Sequence, residues 1–227
     1  MAINLTKGQK IDLRKSNGDQ LSNFCVGVNW GVIETSKPGL FGFGTKKVIE
    51  DVDLDLSCIL LNSEGKMIDW IYSPDYNAYL QKNNFPLGKL TSNDGALKHS
   101  GDDRKGDIDG DDGLDNEVIS IDLSNVNNEV TQIFFFINIY LNPGQNFDFH
   151  KIPFAKIRMY EGTSTKVNNV HSSFDIVTDS SYAGKGAIIL GKLYKRNNEW
   201  KFDAIGDATD DKMFLQTIQR ITQNYSK

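Results

Sequence analysis

Gln132-Ile-Phe-Phe-Phe-Ile-Asn-Ile-Tyr140 is nearly continuous apolar sequence, rich in β-branched and aromatic side chains. It reads as a central strand buried on both faces. Shorter strand-like runs lie to either side. Residues 24–30 alternate, with Phe24, Val26, Val28 and Trp30 on one face, and predict a half-buried strand. Residues 67–72 predict a hairpin strand after the turn at 62–66, and residues 117–123 predict another. Downstream, residues 154–160, 170–177, 187–194 and 199–205 are each strand-like, and the opening residues 2–13 predict two short strands around Lys7-Gly8. Many short strands without alternating helices predict an all-β fold, an antiparallel β-sandwich of two sheets.

One helix is expected, at the C-terminal end. Thr209 is placed as its cap, Asp210 and Asp211 suit its positive N-terminus, and Phe214, Leu215, Ile218 and Ile221 recur at helical spacing. Arg220 is expected in its last turn, and the helix is expected to pack on the sandwich edge. Residues 73–95 read as loop with one helical turn near 76–81. The glycine-rich stretch 36–45 carries Leu40, Phe41 and Phe43, either folded back on the domain or forming a contact patch. With no internal repeat and no clean linker, residues 1–227 are read as one domain.

Composition removes several functions. The chain has 227 residues, is 39% hydrophobic and carries a net charge of −5 without any basic cluster, which argues against a nucleic-acid surface. No apolar leader segment follows Met1, and no stretch has the length to span a bilayer, so insertion into a membrane is not expected. Cys25 and Cys58 lie far apart without a CxxC, and read as reduced, buried thiols in a cytoplasmic protein.

The charge is concentrated in one place. Between Asp102 and Glu117 stand eight acids and two bases, a local charge of minus six. Such density repels and suits a disordered tail, but this stretch sits between two strands and spaces glycines at 101, 106, 110 and 113. Short acidic side chains on a glycine-punctuated backbone are what a hard cation such as Ca²⁺ needs. A second acidic feature is Val52-Asp-Leu-Asp-Leu-Ser-Cys-Ile-Leu-Leu61. As a strand it sets Leu54, Leu56, Cys58 and Leu60 on one face and Asp53, Asp55, Ser57 and Ile59 on the other, with the two carboxylates roughly 7 Å apart. The pair marks either the solvent-facing start of an edge strand or a rigid source of ligands beside an adaptable loop.

The loop is not an EF-hand. Counting from Asp107, position six is Asp112 rather than glycine, and position twelve is Val118 rather than glutamate. Eight carboxylates need neutralising, and two Ca²⁺ ions sharing bridging oxygens suit that charge better than one. His99, His150 and His171 form no zinc or iron pattern, and neither a GxSxG elbow nor a P-loop is present. The carboxylates fit a glycosidase acid and base in principle, but cation ligation explains so many acids more simply.

Four motifs in order resemble one family: Val52-Asp-Leu-Asp-Leu-Ser57; His99-Ser-Gly-Asp-Asp-Arg-Lys-Gly-Asp107 running on to Gly110-Asp-Asp112; Gly191-Lys-Leu-Tyr-Lys195; and Glu199-Trp-Lys-Phe-Asp-Ala-Ile-Gly206. They are similar to the TerD family of bacterial tellurium-resistance and stress proteins, and the start Leu5-Thr-Lys-Gly-Gln9 and Phe174-Asp175 match as well. The resemblance implies a cytoplasmic, Ca²⁺-binding β-sandwich not known as an enzyme. It also implies partners among other tellurite-resistance and stress proteins, some membrane-associated. Carried over by position, the ligands are Asp53, Asp55, Asp102, Asp103, Asp107, Asp109, Asp111 and Asp112, with Glu117 closing the loop. The family's loop commonly passes from Gly-Asp-Asp straight to Glu, whereas this chain reads Gly110-Asp-Asp-Gly-Leu-Asp-Asn-Glu117. Asp111-Asp112 and Asp115-Asn116 both answer to that position. The expectation is therefore a non-enzymatic protein binding two Ca²⁺ ions, with metal ordering a partner surface. A metal-assisted hydrolase and a metal-independent interaction module are the alternatives.

Overall fold

The structure, a computed structural model, describes residues 2–15, 17–38, 44–142, 144–176 and 180–226. In chain order its elements are β1 (Ile3–Asn4), β2 (Lys10–Asp12), β3 (Asn23–Trp30), β4 (Ile33–Pro38), β5 (Thr45–Glu50), β6 (Asp53–Leu61), β7 (Met67–Ile71), α1 (Asn77–Lys82) and β8 (Leu97–His99). They continue with β9 (Glu117–Asp122), β10 (Gln132–Tyr140), β11 (Ala155–Thr163), β12 (Lys166–Asp175), β13 (Ala187–Arg196), β14 (Glu199–Thr209) and α2 (Phe214–Asn224). Two six-stranded sheets run in the orders β1-β12-β11-β3-β9-β8 and β2-β14-β13-β10-β6-β7, and β4 and β5 pair as a separate hairpin. The pairing is antiparallel except where β1 lies parallel to β12.

Alternation decides which layer each side chain joins. Ile133, Phe135 and Ile137 of β10 face the other sheet and meet Leu54, Leu56, Cys58 and Leu60 of β6 in the main core, together with Val26, Val28 and Trp30 of β3. Phe134 and Phe136 point outward and meet Ile59, Tyr72, Tyr76, Phe214, Leu215 and Ile218 in a second core. Strand β10 is thus buried on both faces, as its composition predicts.

That second core corrects two expectations. The helix α2 lies on the outer face of the β10 sheet, not on the sandwich edge, because Phe134, Phe136 and Ile189 need cover. It also starts later than expected. Thr209 is still paired with Ala187 as the last residue of β14, its hydroxyl donates to Asp211, and the cap position falls to Met213. Arg220 is engaged with Asp211 (Nη2 to Oδ1, 2.7 Å) rather than with the last turn. A third correction concerns β3, which is buried on both faces beyond Asn23 instead of half-buried. Its second face is covered by Tyr160 and Val118 beside Cys25, and by the acidic loop. Both cysteines are buried and free. The helical turn expected near 76–81 is α1 with the single 3₁₀ turn Pro74–Tyr76 before it. Leu40, Phe41 and Phe43 fall outside the described residues.

The start of β6, the start of β9, and the ends of β3 and β10 all lie at one end of the sandwich, since Asp53 pairs with Tyr140 and Glu117 with Val28. Residues 100–116 cap this end.

Candidate metal centre

The centre is built on two sequence-distant pieces. Strand β6 enters its sheet at Asp53, after the Trp30 indole N–H has donated to the Val52 carbonyl at 2.8 Å and pinned the entry. From there Asp53 and Asp55 project outward on one face, and the loop brings Asp102 to them. Carboxylate oxygens of the three lie within 4.8 Å of one another. Asp55 is only 2% exposed and accepts a 2.5 Å hydrogen bond from the Tyr76 hydroxyl. Asp53 Oδ1 is buried without a hydrogen-bond partner. Burial, then repulsion from Glu117 and Asp53, pushes the Asp55 carboxyl well above the usual carboxylate range. Burial, then repulsion from Asp102 and Glu117, lifts Asp53 to about 7. A cation among them would satisfy the orphan oxygen and remove the repulsion, so this all-oxygen donor set fits a hard divalent ion.

Glu117 plays a different part. Strand β7 pairs with β6 only from Cys58 to Leu61, so the backbone groups of Leu56 have no strand partner on that side. Glu117, 1% exposed, fills the gap: its Oε2 accepts the Leu56 N–H at 2.6 Å and its Oε1 accepts the Asp103 N–H at 3.2 Å. His99 completes the repair, with Nε2 3.1 Å from the Leu56 carbonyl while its Nδ1 accepts the Gly101 N–H at 3.0 Å. These contacts define the Nε2–H tautomer. Two side chains of one sheet thus cap an unpaired stretch of the other, and fix where the loop begins and ends.

A second triad lies within the loop. Oxygens of Asp107, Asp111 and Asp112 also come within 4.8 Å of one another, but Asp111 and Asp112 are exposed. Its acids are already served by the protein. Asp107 Oδ2 accepts the Asn29 amide at 2.9 Å, Asp112 Oδ1 accepts the Leu114 N–H at 2.8 Å, and Asp111 Oδ2 lies 3.2 Å from Lys156 Nζ. Against partial burial, the Gly113 N–H and Lys156 hold the Asp111 carboxyl below its usual range.

Two close approaches seat this loop. The Asp107 N–H donates to the Trp30 carbonyl and the Val32 N–H to the Asp107 carbonyl, and a Cβ on Gly106 would meet Gly31 C and Trp30 Cδ1 at 2.7 Å. At Gly27, in the middle of β3, a Cβ would lie 2.2 Å from Asp115 Oδ2. That vacancy admits Asp115, which is 7% exposed and paired with Arg158 of β11 (Nη2 to Oδ1, 2.8 Å). Arg158 also donates to the Gly113 carbonyl at 3.2 Å.

The model of the TerD domain matches residues 1–221. The chain belongs to the TerD domain family. Among its TerD relatives, stress response protein SCP2 of Bacillus subtilis is 33% identical, with 97% of this chain and 99% of that protein covered. Tellurium resistance protein TerD of Serratia marcescens is 32% identical over 92% of this chain and 91% of its own. General stress protein 16U of Bacillus subtilis is 35% identical, covering 92% and 91%. In fold the chain is similar to a crystal structure of a TerD homologue from Streptomyces coelicolor, with a TM-score of 0.56 and 14% identity over 91% of this chain and 98% of that one.

Of the positions carried over from the TerD pattern, the structure gathers Asp53, Asp55 and Asp102 in one group and Asp107, Asp111 and Asp112 in another. Glu117 acts as the clamp just described. Asp103 turns back on its own loop, accepting from the Lys105 N–H and the Asn116 amide. Asp109 is exposed and lies in neither group. Of the two segments that answer to the usual TerD position, Asp111-Asp112 joins a triad, while Asp115-Asn116 is structural: Asn116 accepts the Trp30 N–H at 2.9 Å and donates toward Asp103 and Asp107. Sequence reading missed Tyr76, Asn29 and Arg158, and reached Asn116 only within the Asp115-Asn116 alternative.

Proposed function

We propose that this protein is a non-enzymatic Ca²⁺-binding member of the tellurite-resistance and stress-response type. One ion is held by Asp53, Asp55 and Asp102, and a second by Asp107, Asp111 and Asp112. The observation that carries this reading is the buried, partnerless Asp53 Oδ1 inside a triad in which burial and mutual repulsion raise the Asp53 and Asp55 carboxyls. In the absence of a cation the acids of such a cluster retain protons; a bound Ca²⁺ supplies oxygen ligation and charge together. The thiols give no support to covalent catalysis: burial pushes Cys25 up to about 11 and Cys58 higher still.

Metal would tie the loop to β6 and fix a surface on which Ile108 stands 55% exposed among acids. Partners would be other resistance and stress proteins, some of them at a membrane, met from the cytoplasm. No helix among the described residues is long and apolar enough to cross a bilayer. Calorimetry of the full chain with Ca²⁺ and with Mg²⁺ tests the reading. Two Ca²⁺ per chain, preferred over Mg²⁺, is the expected result; no heat with millimolar Ca²⁺ overturns it.

A further inference from the structure

Beside the first triad the sandwich end opens into a cavity of about 810 Å³, with Asp53 on its wall. Its size suits a small metabolite. Four acids and three bases line it, Glu50, Asp51, Asp53 and Asp75 against Arg104, Lys105 and Lys151. Arg104 spans the rim, paired with Asp75 and, at 2.8 Å, with Asp102. Among the described residues, Lys105 and Lys151 make no ion pair; Lys151 Nζ instead donates to the Asn146 carbonyl at 2.7 Å. Tyr140 and Phe147 add apolar surface, and Asn142 and Gln145 add amides.

Counted with every acid ionised, this lining is net negative by one, and a divalent ion at Asp53 would make it net positive by one. Three carboxylates also fall short of a full shell for Ca²⁺, which takes roughly six to eight oxygens, because Asp55 shares one oxygen with Tyr76. An anion entering the cavity would meet the open coordination positions of a cation at Asp53 together with the ammonium groups of Lys105 and Lys151. We propose that the cavity binds a phosphate monoester, its oxygens held between Lys105, Lys151 and the Asp53-bound cation. A dianionic, many-oxygen group suits point-charge ammonium donors and a hard ion together. The inference rests on the calcium reading above, and it makes the two ligands mutually dependent: each tightens the other by the same factor.

The test titrates the full chain with glycerol 3-phosphate in Ca²⁺ and in EDTA, after Ca²⁺ binding has been measured alone. Saturable binding in Ca²⁺, weakened at least tenfold by EDTA and at least tenfold by Lys105→Ala with Lys151→Ala, supports the proposal. The double variant should retain Ca²⁺ binding, which separates the two readings. If the protein binds Ca²⁺ but not the phosphate, the inference fails and the calcium reading stands; if Ca²⁺ itself does not bind, both fail. Succinate binding as tightly as glycerol 3-phosphate overturns the assignment to phosphate. Ca²⁺-dependent sedimentation with phosphatidic acid vesicles but not phosphatidylcholine ones, lost in the double variant, supports the same chemistry on a lipid headgroup.

Discussion

The two acidic triads use the same side chain under opposite conditions. Asp53 and Asp55 stand on a strand fixed by sheet hydrogen bonds on the β10 side, Asp55 buried and Asp53 half-buried with one buried oxygen left unpartnered. Asp107, Asp111 and Asp112 stand on a loop, largely exposed, with backbone N–H groups, Asn29 and Lys156 already in attendance. Repulsion between carboxylates is weak where water screens it and strong where burial removes the water. The first triad would therefore gain more from a cation than the second. The second carries a substitute for one in the Lys156 ammonium beside Asp111; in the first, Arg104 pairs with Asp102 at the rim and leaves the buried Asp53 oxygen without a partner. Rigid placement costs charge-burial energy in the metal-free protein and would give pre-formed geometry to a bound ion.

The largest expected effect breaks the support of the loop. Arg158→Met leaves the buried Asp115 carboxylate unpaired, and should cost about 3–5 kcal/mol in urea denaturation. The strand-borne triad should keep its Ca²⁺ response; a cost below about 1 kcal/mol would mean Asp115 is not charged in the fold. Next comes Asp55→Asn, which should abolish most of the Ca²⁺-dependent stabilisation, about 2.7 kcal/mol at a hundred times the dissociation constant. Asp111→Asn should remove a smaller part. Equal losses in thermal melts of the two variants would erase the distinction between the triads.

A pH dependence sharpens it further. Asp53 titrates at about 7 in the fold, and Asp55 is also raised well above its ordinary value. Between the unfolded value of about 3.9 and the folded one, the native state binds more protons than the unfolded chain. Their contribution to metal-free stability is thus fully present below about pH 4 and is lost as pH rises through 7. Melting in EDTA should be lower at pH 8 than at pH 5.5, with the difference reduced in Asp55→Asn. The smallest effect is Lys156→Met: removing a partly exposed competitor should tighten the loop site by about threefold. Weaker Ca²⁺ binding in that variant would show that Lys156 helps to shape the site.

Period-two patterning was enough to place Asp53 and Asp55 on one face of β6, because strand geometry alone decides that face. What patterning did not reveal depends on where other elements stop. Glu117 gains its role as a clamp only once β7 is seen to end at Ile71, opposite Cys58, leaving Leu56 to be capped. Thr209 reads as a helix cap until β14 is seen to extend through it. Arg158 carries no sign of its role, since its partner Asp115 lies 43 residues away and is admitted by a glycine on a third strand. The acidity of the loop was legible at once; its division between clustered acids, clamp and anchor belongs to tertiary contacts.

A crystal grown with Ca²⁺, measured for anomalous scattering, tests the central claim most directly. The account predicts a strong peak ligated by Asp53, Asp55 and Asp102. A peak confined to Asp107, Asp111 and Asp112, with Asp53 Oδ1 still unpartnered, would contradict it.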